Sequence, residues 1–324
     1  GALALGAACA AFGGRTRGDP GRQQQDDLQA VLDAGTAGPA SPSATPRTSR
    51  DDSGRRPPTA RAAVVALEDG VTFDPERWVR GVVQATERHP LSSLAEVQRR
   101  VGWTDADLNP AVDDYAPTQE SFEVAVPPSP MDPDGLLVWI PAAPSGAMPP
   151  ELGPALEQHH IRYAGLDDAG NERPVAVRMN LALDAVHAIC RRMPVRPDRI
   201  WVGGLSGGAK TASRLALLYP EVFRGGLLVV GAEYFPPVPR RSNGQFWEVG
   251  IRVSATPALL RPLRSRRFVM VTGEHDFSRE PVLDYHEAFK NDGLTNVLLL
   301  DIPGMYHSMP TPDVLEQALG FLDQ

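Results

Sequence analysis

Cysteine is nearly missing: the chain has two, Cys9 and Cys190, too few for a disulfide framework to hold a fold together. Basic tracts are missing as well. Lysine and arginine together number 32 against 40 acidic residues, a formal net charge of -8. Without a concentrated cationic face, that balance argues against general nucleic-acid binding, which depends on phosphate neutralisation. No apolar run is long enough to span a bilayer. No carboxylate or cysteine stands at ligand spacing beside His159-His160, so no metal is expected there. What remains is a globular composition, 42% hydrophobic and 22% charged over 324 residues, sufficient for a sizeable core in one large domain or two small ones. Cys190 falls within an apolar helical pattern and is expected to be a buried, inert thiol.

Residues 1–12 are small and apolar, like the tail of a secretory signal. Leu5-Gly6-Ala7-Ala8-Cys9 approaches a bacterial lipoprotein signal but carries glycine where that pattern prefers leucine. The expectation is bacterial-type export, secreted, periplasmic or lipid-anchored, with Cys9 the candidate anchor. Residues 13–59 are rich in Gly, Pro, Ser, Thr, Arg and Asp and too poor in apolar side chains to offset their ordering entropy, so a disordered linker is expected. Residues 60–117 change character. Asp74-Pro75 reads as an N-cap followed by proline at the first helical position, which predicts a helix over 75–87; a second is predicted over 92–101, beyond the His89-Pro90 break. Together they suggest a small helical appendage, in which Trp78 and Trp103 pack or cover a pocket.

The main domain is expected over 118–324. Residues 121–126 alternate as a strand and 136–140 form a continuous apolar run of the buried kind. Further strands are predicted at 161–164, 199–202, 226–230, 268–272 and 297–302. Helices are predicted at 151–160, 174–192, 209–218, 280–291 and 313–322. Strands alternating with helices imply a mainly parallel sheet with helices on both faces, and ligands gather at the carboxyl ends of such strands.

At the centre stands Gly204-Leu205-Ser206-Gly207-Gly208, placed between a strand and a helix. This is the G-x-S-x-G spacing of a nucleophile elbow, where small neighbours let the backbone turn tightly enough to present the serine. Ser206 is the candidate nucleophile, and the N–H of Gly207, opening the helix, the first candidate oxyanion donor. The same residues approach the phosphate-binding G-x-x-x-x-G-K-[ST] pattern, but Ala209 replaces its second glycine and puts a Cβ where phosphate must approach. A serine needs an imidazole to take its proton and a carboxylate to orient that imidazole. Gly273-Glu274-His275-Asp276 and Pro303-Gly304-Met305-Tyr306-His307 each follow a predicted strand and fall on the edge that carries Ser206. Asp276 and His307 are the candidate partners. Glu274 is the alternate carboxylate, His275 a bystander, and helix N-capping the competing role for Asp276. A Ser-Lys mechanism would bring Lys210 to Ser206 and leave His307 idle.

These motifs, in the order Ser, Asp, His and with Tyr219-Pro220-Glu221-Val222-Phe223 after the elbow helix, resemble the α/β-hydrolase family over about 119–324. Within it they resemble the serine esterases of the feruloyl esterase and polyhydroxybutyrate depolymerase branch. The resemblance implies a cofactor-free α/β-hydrolase acting on a small-molecule or polymeric ester through an acyl-enzyme on Ser206. Many members carry His-Gly after the strand preceding the first main helix, where this chain has Pro141-Ala142-Ala143. Proline has no N–H, so Ala142 is the first candidate second donor and Ala143 the next. Tyr234, Phe235 and Trp247, between two strands, are candidate substrate-binding aromatics with core packing as the equal alternative, and Tyr306 beside His307 is a fourth. A prolyl-peptidase-like serine peptidase and a catalytically silent binding module on the same fold remain the alternatives.

Overall fold

The computed structural model describes residues 65–66, 79–101, 115–127, 134–248 and 253–324. The expected signal remnant, the 13–59 linker, Cys9, Trp78 and Trp103 lie outside them. Ala60–Gln324 form one compact unit, whose described strands are β1 (Val65–Ala66), β2 (Val79–Gln84), β3 (Ser121–Val126), β4 (Asp134–Ile140), β5 (Ile161–Leu166), β6 (Val195–Leu205), β7 (Gly225–Val229), β8 (Arg267–Gly273) and β9 (Val297–Ile302). The helices are α1 (Leu94–Val101), α2 (Leu152–Gln158), α3 (Val175–Cys190), α4 (Gly207–Leu218), α5 (Pro257–Leu263), α6 (Arg279–Asn291) and α7 (Pro312–Leu322).

The strands form one sheet in the order β1-β2-β3-β5-β4-β6-β7-β8-β9. From β5 to β9 all neighbours are parallel, while β3 runs antiparallel to both β2 and β5. Buried parallel strands need apolar residues on both faces, and β4 meets this with Leu136, Val138 and Ile140 on one side and Leu137 and Trp139 on the other. The first side is covered by α1, α3, α4, α5 and α6, the second by α2 and α7. Parallel strands joined by helices on both faces direct the carboxyl ends of β4, β6, β8 and β9 to a common edge.

One expected helix is a strand. Within 75–87, residues Val79–Gln84 pair antiparallel with β3 along its whole length. Gly81, Val83 and Ala85 are buried while Arg80 and Gln84 are exposed. That period of two, carried by β-branched valines, outweighs the Asp74-Pro75 signal. The appendage is therefore not wholly helical, and part of it extends the main sheet. Its helix α1 packs on α3, where Tyr115 Oη donates to Asp184 Oδ2 at 2.7 Å and His89 N–H to Asp184 Oδ1 at 2.7 Å. Cys190 also departs from expectation. It is the last residue of α3, past the reach of the covering elements, and is exposed.

Candidate active site

Ser206 sits between β6 and α4 with φ 55° and ψ -117°, a left-handed conformation that costs a non-glycine residue free energy and persists only where surroundings impose it. The surroundings here are identifiable. Ser206 N–H donates to Val229 O at 2.9 Å and Lys210 N–H returns to Ser206 O at 3.1 Å. A Cβ on Gly204 would lie 2.5 Å from the carbonyl carbon of Gly208, and one on Gly208 would run into Ile140 O. Those two glycines let β6, α4 and the end of β4 come together closely enough to form the turn. Val230, which follows β7 beside the elbow, also has positive φ, at 46°.

His307, beyond β9, and Asp276, beyond β8, meet as the sequence suggested. His307 Nδ1 lies 2.6 Å from Asp276 Oδ1. The carboxylate side chain is fully buried. Ser278 N–H donates to the same oxygen at 2.8 Å and Thr272 Oγ1 to Oδ2 at 2.7 Å. Asp276 therefore closes a local turn before α6 and holds His307 at the same time; the N-cap residue of α6 is Ser278. An ionised carboxylate only accepts, so the proton of neutral His307 belongs on Nδ1 and Nε2 is left with a free lone pair. Nε2 is buried and has no hydrogen-bond partner among the described residues. Glu274 turns elsewhere, accepting from Gly304 N–H at 3.0 Å, and the His275 ring lies against Tyr306. Sequence reasoning missed Phe277, whose ring stacks on His307 at 3.9 Å and 22° while 54% exposed. Nothing in the pattern distinguished it from any loop aromatic.

Gly207 is the first residue of α4, so its N–H has no intrahelical acceptor and lies at the positive end of the helix. Register brings the loop after β4 alongside the elbow. Ile140 pairs with Gly204, and continuing that parallel register brings Ala142 level with Ser206. The loop is held by its carbonyls: Pro141 O accepts from Arg178 at 2.8 Å, Ala142 O from Asn171 N–H at 2.8 Å and Pro144 O from Asp168 N–H at 2.6 Å. Neither Ala142 N–H nor Ala143 N–H makes a backbone hydrogen bond among the described residues. Arg178 is buried and binds only carbonyls, its Nε donating to Ala169 O at 2.8 Å. Burial, with Arg214 nearby, pushes its pKa down to about 10, still high enough to keep the cation at neutral pH.

The four candidate substrate-binding aromatics separate. Tyr234 and Phe235 take the core-packing alternative: they stack on one another at 4.7 Å, Tyr234 packs on Phe289, and its hydroxyl donates to Asp292 at 2.7 Å. The preceding residue explains the direction. Glu233 is drawn down onto α4 by Arg214 and by Ser213 Oγ, which accepts from Glu233 N–H, so the chain after β7 points inward. Trp247 is half-buried, its Nε1 donating to Asp284 at 2.8 Å with the Arg240 guanidinium over its ring. Tyr306 is 66% exposed.

This is an α/β-hydrolase architecture. No protein-family model matches the chain, and no curated protein matches it significantly. Among solved structures it is similar to a ferulic acid esterase, at 13% identity and TM-score 0.49 over 63% of this chain and 91% of that one. A bacterial heroin esterase gives 16% identity and TM-score 0.48 over 78% and 86%. S-formylglutathione hydrolase from Staphylococcus aureus gives 14% identity and TM-score 0.46 over 67% and 93%.

Proposed function

We propose that the protein is a serine carboxylic ester hydrolase working through an acyl-enzyme on Ser206. The observation that carries this is the 2.6 Å contact of His307 Nδ1 with Asp276 Oδ1, which leaves Nε2 buried and unpartnered on the edge where the strained Ser206 stands. In this reading Nε2 takes the Ser206 hydroxyl proton as Oγ attacks the ester carbonyl. The carbonyl oxygen becomes an oxyanion facing Gly207 N–H and Ala142 N–H. The imidazolium, stabilised by Asp276, then gives its proton to the leaving alkoxide, and the alcohol departs. Water attacks the acyl-enzyme by the same route, releasing the acid and restoring Ser206. Substrates are small or polymeric esters, and the exposed Tyr306 and Phe277 offer aromatic surface to them. The apolar run at 1–12 supports an enzyme working outside the cytoplasm.

Labelling with a fluorophosphonate probe, together with aryl ester assays of short and long acyl chain, tests the proposal. The wild type should label, Ser206→Ala should not, and Asp276→Asn and His307→Ala should label slowly. Hydrolysis of peptide amides with no ester preference would replace this reading with a peptidase. A folded wild type that neither labels nor turns over would leave a binding module.

A further inference from the structure

Beside the two backbone N–H groups lies a third polar group. The segment after β5 returns to the elbow, and its position is fixed many times over. Gly146 N–H donates to Asp167 Oδ1 at 3.1 Å, Asp168 N–H to Pro144 O, Arg178 to Ala169 O and Asn171 N–H to Ala142 O. Arg173 bonds both Glu120 and Asp168 O. What this framework presents is the side chain of Asn171. Its Oδ1 lies 2.1 Å from where a Cβ on Gly207 would stand, and its Nδ2 3.1 Å from it. The amide therefore fills the position of the missing side chain at 207, between the elbow and the loop bearing Ala142.

The chemistry of that amide is unfinished. Asn171 Oδ1 is buried and has no hydrogen-bond donor among the described residues. A buried unpaired amide is costly and calls for a partner. The two ends of a carboxamide have nearly the same shape, and rotation by 180° about χ2 exchanges them, placing N–H on the side of the amide that faces Gly207. Resting on the serine-hydrolase reading above, we propose that Asn171 donates its side-chain N–H to the oxyanion as a third donor. Because the charge develops only in the transition state, this hydrogen bond strengthens during reaction and acts on kcat more than on KM.

The backbone of Asn171 holds Ala142 whatever its side chain, so substitution separates donation from packing. Asn171→Leu preserves volume without a donor, Asn171→Asp preserves shape with the wrong charge, and Asn171→Ala removes both. In the full chain, each should lower kcat for an aryl ester about 100-fold with KM nearly unchanged. Affinity for a trifluoromethyl ketone, which forms a tetrahedral adduct on serine, should fall in parallel. The melting temperature identifies any variant that has lost its fold, and Asn171→Ala gives the same comparison if the leucine overpacks. Wild-type kcat and ketone affinity in Asn171→Leu would show that Asn171 only fills space and would overturn the inference while leaving the esterase intact. A wild type that Ser206-directed reagents never label would overturn both.

Discussion

Asp276 shows how much of the site rests on single oxygens. Its Oδ2 is held by Thr272 and its Oδ1 is shared by Ser278 N–H and His307, so the carboxylate cannot rotate without losing a donor. Thr272→Val removes one of those bonds at a fully buried position while keeping the shape. The expected outcome is a kcat about 5- to 10-fold lower, the equivalent of ~1 kcal/mol, with little change in KM for aryl esters. The tight turn at Ser206 and the contact of His307 with Asp276 were legible because glycines punctuate the elbow and because polar clusters directly follow apolar strands. Asn171, Phe277 and Arg178 were not. Each reaches the site from a loop or helix whose position depends on tertiary contacts, and no spacing in the chain expresses those contacts. Tyr234 and Phe235 were ambiguous for a related reason: a loop aromatic reads the same whether it faces a ligand or a core, and only the pull of Arg214 on Glu233 decides between them.

Among the elements, β4 to β9 could be read closely because buried parallel strands and their crossover helices carry strong apolar patterns. The segment 75–87 misled because local capping signals pointed one way and cross-strand pairing with β3 the other, and the pairing prevailed. α5 was missed since it is short and contains Pro262. Asp184 of α3 is one of several groups that tie the segment from β2 to α1 to the main domain; it is buried and takes hydrogen bonds from Tyr115 and from His89 N–H. Asp184→Ala would remove the acceptor of both donors, leaving the buried Tyr115 hydroxyl with Ser92 Oγ alone. It is expected to destabilise the protein by about 2–4 kcal/mol in urea unfolding, and Tyr115→Phe, which leaves Asp184 one donor short, by roughly 1–2 kcal/mol.

Across the whole molecule, every described element falls within Ala60–Gln324. A chain lacking residues 1–59 is expected to melt within roughly 2 °C of the full one and to react with fluorophosphonate at the same rate; a large drop in either would mean that the first 59 residues take part in the fold or the site. The sheet also sets which parts of the site can vary. At 204, 207 and 208 a single added carbon meets backbone or the Asn171 amide, whereas Ala143, Phe277 and Tyr306 are exposed and Ala142 is partly so. If the protein is the esterase proposed above, mutational drift in a lineage carrying it would thus be channelled: the elbow admits almost no neighbouring sequence, while the exposed residues around it can be rewritten one at a time. New ester preferences should arise there without passing through an inactive ancestor.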